Sequence, residues 1–400
     1  MGQTLSEPIT EKTTTHESNH KYFYGCSHMQ GWRLTMEDAH TTLLKLGDTN
    51  ASFFGVFDGH GGSTIAQYTG QTLYKKVLES QHFEKKEYAE ALKDAFKSLD
   101  KSLLEDNNFA YDPSGCTAVA ALITDDDHIF VANAGDSRGI ISINGQVKPL
   151  SYDHKPTDPE EMQRIISAGG FVEFGRVNGN LALSRAIGDF EFKQNDSLPA
   201  EKQVVTCVPD IIDHQITEED EFFVLACDGI WDCMSNQQVV DFIRDGIAED
   251  KQLGTICEEI MDACLADDST NTGLGYDNMS VMIIAILNGK QTEKDWYHWM
   301  KEKITSSREY QEKHPQGESG NATKGSAVTP PPAPASAADA DAADADADAD
   351  AAVVTTTPTT TSGNNNKRDK SDIDTDEDSS DDEKKKDAKE MKMDTDKAQE

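Results

Sequence analysis

Five short apolar runs between residues 52 and 287 constrain the fold of this chain most strongly. Runs of this length, bounded by turn-forming or charged residues, predict β-strands rather than helices. The tetrapeptide Thr124–Asp127 separates two of the runs and predicts a hairpin. The runs are Ser52–Phe57, Ala118–Ile123, His128–Ala132, Phe222–Cys227 and Met279–Leu287.

Helical periodicity appears between these strands. Apolar residues recur at helical spacing over 88–103, 239–247 and 253–264. A further helix is predicted after Asp158, because Pro159 and Glu161 follow at favourable positions and Gly169 marks an end. Consecutive strands with helices bunched between them favour an α+β layered fold over a regular βαβ alternation.

Composition divides the chain into four parts. Residues 1–20 are polar and aperiodic, which predicts a flexible N-terminal arm, whereas 21–290 contain the core-forming segments. Helical spacing of Trp296, Met300 and Ile304 predicts a helix within an extension over 291–326. The acidic, low-complexity stretch 327–400 has no aromatic residue and is predicted to be disordered, because it cannot bury enough apolar area to offset its ordering entropy.

The net charge of −36 excludes nonspecific binding to nucleic acid, whose phosphates would repel the chain. The seven cysteines are odd in number and show no CxxC spacing, which argues against a disulfide framework and against a thiolate zinc site. No apolar run reaches the length of a membrane span. These features are those expected of a reduced, intracellular, soluble protein.

Aspartates stand at the ends of the strongest predicted strands. Asp58 and Asp228 directly follow apolar runs, and Asp277 precedes the last one by two positions. A single Asp-Gly pair is usually a turn, but a carboxylate beside buried strands is costly unless it is paired or binds a metal. Three such carboxylates without an adjacent base favour a hard divalent cation, Mg²⁺ or Mn²⁺. Further candidates of the same kind are Glu37, Asp38, Asp136 and Asp232.

Oxygen ligands around two metals suit in-line displacement at phosphorus. Arg33 is the best candidate to hold phosphate, since a guanidinium can grip its oxygens bidentately. His60, enclosed by glycines, is placed to protonate a leaving oxygen. A cysteine-dependent phosphatase is excluded, because no arginine stands six residues after any cysteine.

Seven motifs in chain order carry a resemblance to a known family. They are Arg33-Leu34-Thr35-Met36-Glu37-Asp38, Phe57-Asp58-Gly59-His60-Gly61-Gly62, Ser114-Gly115-Cys116-Thr117-Ala118, Ala134-Gly135-Asp136-Ser137-Arg138, Leu183-Ser184-Arg185-Ala186-Ile187-Gly188-Asp189, Ala226-Cys227-Asp228-Gly229-Ile230-Trp231-Asp232 and Asp277-Asn278-Met279-Ser280. Together they resemble the metal-dependent Ser/Thr protein phosphatases of type 2C (the PPM family), and the chain is most similar to fungal members. The resemblance covers about 21–290.

The resemblance implies a central sandwich of two antiparallel β-sheets flanked by α-helices. It also implies two metal ions, Mg²⁺ or Mn²⁺, in a cleft at one end of the sandwich, with a weaker third site. Asp58 would bridge the first two metals. The other implied ligands are Asp228 and Asp277 for the first metal, Glu37 and the Gly59 carbonyl for the second, and Asp136, Asp228 and Asp232 for the third.

The remaining roles are also implied by the resemblance. Asp38 would orient a metal-bound water, Arg33 would hold the phosphate and His60 would act as general acid. A hydroxide bridging the metals would attack phosphoserine or phosphothreonine without a covalent enzyme intermediate. The assigned supporting residues are Thr117 and Asn278.

Three further motif residues are of secondary interest. Arg185 and Asp189 follow a glycine-rich stretch (169–180) that matches the family's flap, and a structural role is expected for both. Cys116 departs from the family, which commonly has a small hydroxyl residue or glycine there. Because cysteine is small and is expected to be buried here, no loss of activity is predicted.

The expected biology follows from the resemblance. The chain would act on phosphorylated proteins as a monomeric negative regulator of kinase signalling in cytoplasm and nucleus. Met1-Gly2-Gln3-Thr4-Leu5-Ser6 fits the N-myristoylation pattern at Gly2, which would give weak, reversible membrane contact. Two alternatives are a catalytically inactive scaffold with the phosphatase fold and an interaction protein that acts through its acidic tail.

Overall fold

Sixteen β-strands are present in the structure, a computed structural model that describes residues 4–267, 273–307 and 312. In chain order they are β1 (Thr4–Ser18), β2 (Tyr22–Arg33), β3 (Ala39–Leu43), β4 (Ser52–Phe57), β5 (Gly59–His60), β6 (Gly115–Cys116), β7 (Ala118–Ile123), β8 (His128–Ala134), β9 (Arg138–Ile143), β10 (Gln146–Pro149), β11 (Val172–Glu173), β12 (Arg176–Val177), β13 (Ile187–Gly188), β14 (Asp210–Gln215), β15 (Asp220–Ala226) and β16 (Met279–Ile286).

Eight α-helices occur in the same described residues, together with two short 3-10 helices at Phe190–Phe192 and Ala200–Lys202. The α-helices are α1 (Thr64–Glu79), α2 (Gln81–Glu84), α3 (Tyr88–Glu105), α4 (Pro159–Ser167), α5 (Asp228–Trp231), α6 (Asn236–Ala248), α7 (Leu253–Cys264) and α8 (Glu293–Thr305). All five strands and all four helices predicted in the core are therefore confirmed, and α8 confirms the helix predicted in the extension.

Two antiparallel sheets pack face to face. One has six strands in the order β1-β2-β16-β15-β9-β10, and the other has five in the order β14-β8-β7-β4-β3. Their inner faces meet in an apolar core in which the Phe54 ring lies 6.0 Å from that of Phe223. Helices α6, α7 and α8 cover the outer face of the six-stranded sheet, and α1 and α3 cover that of the five-stranded sheet. The predicted α+β sandwich flanked by helices is confirmed.

Burial on both faces explains why the central strands appear in the sequence as continuous apolar runs. Neighbouring side chains of a strand point to opposite faces. Phe54 and Val56 accordingly pack between the sheets, whereas Phe53 and Phe57 pack under the helices. Apolar side chains therefore dominate the middle of these strands, and the site aspartates stand just beyond their ends.

The predicted flexible arm over 1–20 is wrong for the part that the structure describes. Residues Thr4–Ser18 form β1, which pairs antiparallel with β2 at the edge of the six-stranded sheet. Most side chains of β1 are exposed, so the strand leaves no hydrophobic periodicity in the sequence. Main-chain pairing holds it, helped by an ion pair of Lys12 with Asp262 (2.6 Å) and a hydrogen bond between Thr14 and Ser27 (2.9 Å).

Some predictions lie outside the described residues. These are the lipidation site at Gly2, most of the stretch that follows α8, and the predicted disordered tail from 327 onward. Among the residues that are described, no helix combines the length and apolarity needed to cross a membrane.

Candidate active site

One end of the sandwich collects the aspartates that follow or precede its strands. Asp58 follows β4, Asp228 begins α5 two positions after the end of β15, and Asp277 precedes β16. They line a cleft of about 460 Å³ together with most of the other predicted site residues. The other site residues in the lining are Arg33, Glu37, Gly59, His60, Thr117, Asp136 and Asn278.

Two carboxylates in this cleft are electrostatically unfavourable in their ionised form. Burial raises the pKa of Asp58 well above its usual value, and the charge of Asp228 raises it further. Burial likewise raises the pKa of Asp228, with added repulsion from Asp136 and Asp277. Several carboxylates that share one cleft are stable together only if some of them are protonated or a cation neutralises their charge.

Asp38 belongs to the same cluster but lies beneath the cleft. Burial raises the pKa of Asp38 to about 6, against an opposing hydrogen bond from Ser280. The Ser280 hydroxyl donates to Oδ2 of Asp38 at 2.7 Å. The other oxygen, Oδ1, is inaccessible to solvent, and the Cys227 thiol is the further polar group that acts on this carboxyl group. A buried carboxylate with so few partners is unfavourable in its ionised form, which agrees with the raised pKa of Asp38.

The donor set suits a hard cation. Ligand atoms of Asp38, Asp58 and Cys227 lie within 4.8 Å of one another. Burial strongly raises the pKa of the Cys227 thiol, which donates instead to the Asn278 carbonyl (3.5 Å) and is therefore an unsuitable ligand. Carboxylate oxygens remain, and these are the ligands of Mg²⁺ and Mn²⁺. The residues present thus fit divalent cations.

Arg33 stands at the rim of the cleft, half-exposed. Its Nη2 donates to Oδ2 of Asp277 at 2.5 Å, so the guanidinium offsets part of the negative charge. The fork of donors on the remaining nitrogens can bind an anion that enters the cleft.

Asp136 and Asp232, two of the residues predicted to bind a third metal, differ from each other in burial and in position relative to the cleft. Asp136 is buried and accepts a hydrogen bond from Lys155 at 2.6 Å. Asp232 is exposed, does not line the cleft, and follows Asp228 by one helical turn. Sequence reasoning missed Lys155, which stands nineteen residues from its partner.

A hydrogen-bond network fixes the loop that carries Glu37. The side chain of Asn278 accepts from the Glu37 amide (2.9 Å) and donates to the Thr35 carbonyl (3.0 Å). Thr35 in turn donates to Oε1 of Glu37 at 2.7 Å. A Cβ at Gly59 would lie 2.3 Å from the Glu37 carbonyl oxygen, so only glycine allows this approach. Asn278 thus positions Glu37 through the backbone.

Thr117 contacts the backbone of Asp58, as Asn278 contacts the backbone of Glu37. Its amide donates to the Asp58 carbonyl at 2.9 Å, and its hydroxyl lies 2.7 Å from that of Ser137. The neighbouring Cys116 is fully buried, as predicted, with its thiol 3.6 Å from the Thr69 hydroxyl.

His60 is held by an acid that the sequence did not assign to the site. A small sheet in the order β13-β6-β5 brings Nε2 of His60 within 2.7 Å of Oδ2 of Asp189. Gly115 lies between them, and a Cβ there would lie 2.3 Å from Asp189 and 2.7 Å from His60. Burial lowers the pKa of His60, but the hydrogen bond and charge of Asp189, together with the charges of Asp136 and Glu37, outweigh it, and the net shift is upward. The histidine can therefore carry a proton near neutral pH.

Comparison with known proteins agrees with this geometry. The family model described as "Protein phosphatase 2C" matches residues 22–273. The chain belongs to the protein phosphatase 2C family. It is 52% identical over 311 residues to Protein phosphatase 2C homolog 2 of Schizosaccharomyces pombe, covering 76% of this chain and 84% of that one. A probable protein phosphatase 2C of Caenorhabditis elegans is 51% identical over 294 residues, covering 73% and 82%.

Solved structures share the 2C fold. A crystal structure of a phosphatase from Toxoplasma gondii has a TM-score of 0.61 and 27% identity, and it covers 71% of this chain and 97% of that one. A Caenorhabditis elegans sex-determining protein has a TM-score of 0.59 and 27% identity, covering 71% and 69%. This 2C-family chain is thus a protein phosphatase, and several of the curated relatives that it matches are fungal.

A structural role was predicted for both Arg185 and Asp189. The contacts of Arg185 agree with that prediction. Its guanidinium pairs with Glu161 (2.7 Å) and Asp210 (2.7 Å) away from the aspartate cluster. Glu161 therefore serves this ion-pair network rather than the amino-terminal end of α4. Asp189 differs from the expectation, because its contact with His60 links it to the site of this 2C-family member.

Proposed function

We propose that this protein is a Mg²⁺- or Mn²⁺-dependent serine/threonine phosphatase that hydrolyses phosphoserine and phosphothreonine in proteins without a covalent intermediate. The observation that carries the proposal is the convergence of Asp58, Asp228 and Asp277 in one cleft whose lining also includes Arg33 and His60. Family membership supports the same reaction.

Two cations would be held by Asp58 between them, with the other carboxylates dividing the remaining positions. Divalent cations supply two things at such a site: they activate water as a nucleophile, and they neutralise charge on the phosphoryl group. The raised pKa of Asp58, caused by burial and by Asp228, supports this because cations would relieve the repulsion. The assigned ligands are Asp228 and Asp277, then Glu37 and the Gly59 carbonyl, with Asp136 and Asp232 for a weaker third cation.

The chain's own residues bind the phosphate and transfer protons. The Arg33 guanidinium binds phosphate oxygens at the mouth of the cleft, and Asp38, whose carboxylate lies beside that of Asp58, orients the attacking water. Because Nε2 of His60 is engaged with Asp189, Nδ1 is the nitrogen that holds a proton for the departing serine or threonine oxygen. Neither step needs a nucleophilic side chain.

The wider roles are proposed on the family alone. The protein would be a monomer that opposes kinase signalling in cytoplasm and nucleus, and myristoylation of Gly2 would add weak membrane contact. The catalytically inactive alternative is disfavoured because every assigned acidic ligand is present in the chain.

A phosphopeptide assay with and without chelator tests the proposal. We expect hydrolysis by the full chain to be lost in EDTA and restored by Mn²⁺ or Mg²⁺, because the clustered carboxylates need cations. The Asp58→Asn variant, purified in parallel, controls for a contaminating phosphatase. Activity that persists in chelator would exclude a metal-dependent reaction.

Truncation separates the enzyme from the acidic-tail alternative. A chain that ends at Ser307 keeps α8, whose Trp296, Met300 and Ile304 are buried in the core. We therefore expect this shortened chain to fold and to retain its kcat/KM on phosphopeptides. Loss of kcat/KM in a correctly folded truncation would instead place the activity under control of the tail.

A further inference from the structure

The hairpin of β11 and β12 presents an exposed aromatic side chain beside the active-site cleft. Phe174 stands at its tip and is 93% exposed, more than any other large hydrophobic residue that the structure describes. The hairpin lies in the glycine-rich stretch 169–180. An exposed phenylalanine needs a reason, because it forgoes burial of its apolar surface.

The backbone makes this residue more unusual. Phe174 and Gly175 form a two-residue turn with φ of +51° and +72°, a conformation that favours Asn-Gly. The same chain uses Asn-Gly at three such pairs, 144–145, 178–179 and 288–289. Among the described residues, eight other than glycine have left-handed φ, and only Phe174 is apolar. A bulky aromatic side chain at this position makes the left-handed turn conformation less favourable.

The base of the hairpin is fixed, so its tip is presented at a defined place. Val177 is buried with Ile165, Ala186 and Val205, and Val172 packs against the same cluster. The ends of the hairpin are joined by a hydrogen bond from the Asn178 amide to the Phe171 carbonyl (2.8 Å). Because the base of the hairpin is held in place, the backbone that carries the Phe174 ring loses little conformational entropy when the ring binds a partner.

The hairpin is continuous with the catalytic cleft. Arg176, two residues after Phe174, lines the same cleft as Arg33, Asp58 and His60, and its Nη1 donates to the Asn180 carbonyl at 2.6 Å. A chain whose phosphoresidue enters the cleft on the Arg176 side therefore brings its flanking residues close to this tip, since two residues span at most about 7 Å.

We propose that Phe174 is a docking residue for phosphoprotein substrates and contacts an apolar side chain that flanks the phosphoserine or phosphothreonine. The proposal rests on the proposed phosphatase function and adds a substrate preference to it. Phe174 does not contact the reacting atoms, so it acts on the binding of extended substrates rather than on the chemical step.

Kinetics on two classes of substrate test the proposal. The first is a set of phosphothreonine peptides in which one leucine is moved through the flanking positions of a Gly/Ser sequence. The second is p-nitrophenyl phosphate, which has no residues flanking its phosphate. We expect the wild type to prefer leucine in at least one position and Phe174→Asn to lose that preference through an increase in KM of about tenfold. Hydrolysis of p-nitrophenyl phosphate should not change.

The chosen variant also separates docking from folding. Asparagine is favoured at this φ, so Phe174→Asn should not lower the midpoint of thermal unfolding. Phe174→Tyr keeps the ring and should keep the leucine preference. Asn144→Phe, the reciprocal change in the β9–β10 turn, should lower the unfolding midpoint and leave the peptide preference intact.

Three results would overturn the docking role. They are a wild type without a leucine preference, a Phe174→Asn variant that retains it, and an equal loss on peptide and p-nitrophenyl phosphate. A change in oligomeric state on Phe174→Asn with unchanged peptide kinetics would assign the ring to contact between copies and also contradict the proposal. If the wild type hydrolyses neither substrate with Mn²⁺, the proposed phosphatase function itself fails.

Discussion

Asp58→Asn is expected to reduce phosphopeptide hydrolysis by about 10³-fold or more and to stabilise the protein when no metal is bound. Activity falls because the carboxylate common to both proposed cation sites is lost. The metal-free protein gains stability because the amide is similar in shape and removes a charge that burial and Asp228 make unfavourable. The gain in the free energy of unfolding is on the order of 1 kcal/mol or more. Activity assays and thermal unfolding in EDTA measure the two effects.

The pH dependence of the metal-free protein has a definite sign. The pKa of Asp58 is raised above the ordinary 3.8, with burial as its largest cause, and burial raises that of Asp38 to about 6. The folded state therefore binds more protons than the unfolded state above pH 4, so this contribution to stability is lost as pH rises through the folded-state values. We expect the unfolding midpoint of the metal-free wild type to fall over this range, and that of Asp58→Asn to fall less.

A matched aspartate should respond in the opposite direction. A hydrogen bond from His154 (3.1 Å) and an ion pair with Arg185 (2.7 Å) lower the pKa of Asp210. Asp210→Asn should therefore destabilise the protein in EDTA.

Saturating Mn²⁺ should raise the unfolding midpoint of the wild type but raise that of Asp58→Asn much less. Equal stabilisation of both by Mn²⁺ would contradict the role given to Asp58.

The sequence allowed the central strands and the aspartate cluster to be predicted for one physical reason. The middles of strands buried on both faces are mostly apolar, so an aspartate directly after such a run marks the end of the strand. Asp58 and Asp228 were found in this way because each stands at such a boundary. The edge strand β1 has no such signal, because its side chains are exposed and main-chain pairing holds it.

Contacts made across the small sheet were not predictable from local patterns. Asp189 lies 129 residues after His60, and strands of only two residues bring them together. Gly115 carried the one available signal, since a glycine in a strand can mark a close approach. A glycine alone, however, does not identify the two side chains that come together over it.

His60→Gln should distinguish a general acid from a residue that only shapes the cleft. A serine or threonine oxygen leaves as a strongly basic alkoxide unless it receives a proton, whereas p-nitrophenolate is a stable anion at neutral pH. We therefore expect kcat on a phosphothreonine peptide to fall about 100-fold and kcat on p-nitrophenyl phosphate to change little. An equal loss on both substrates would argue against proton transfer from His60.

Asp189→Asn should then move the pH profile of the same reaction. The general acid must be protonated, so kcat on the phosphopeptide falls as pH rises through the pKa of His60. Burial lowers this pKa, whereas the hydrogen bond and charge of Asp189 are the largest of the effects that raise it. Removing that charge should shift the high-pH limb of kcat to lower pH. Asparagine is tolerated at the left-handed φ of +52° found here, so the backbone need not change.

Gly115→Ala tests the same contact without removing a charge or a ring. A Cβ at this position would lie 2.3 Å from Oδ2 of Asp189 and 2.7 Å from Nε2 of His60, so the two groups must separate. If their contact sets the protonation of His60, this variant should shift the high-pH limb in the same direction as Asp189→Asn, with the affinity for Mn²⁺ unchanged. A shift in Asp189→Asn alone would mean that the charge of Asp189 acts at long range and that the hydrogen bond is dispensable.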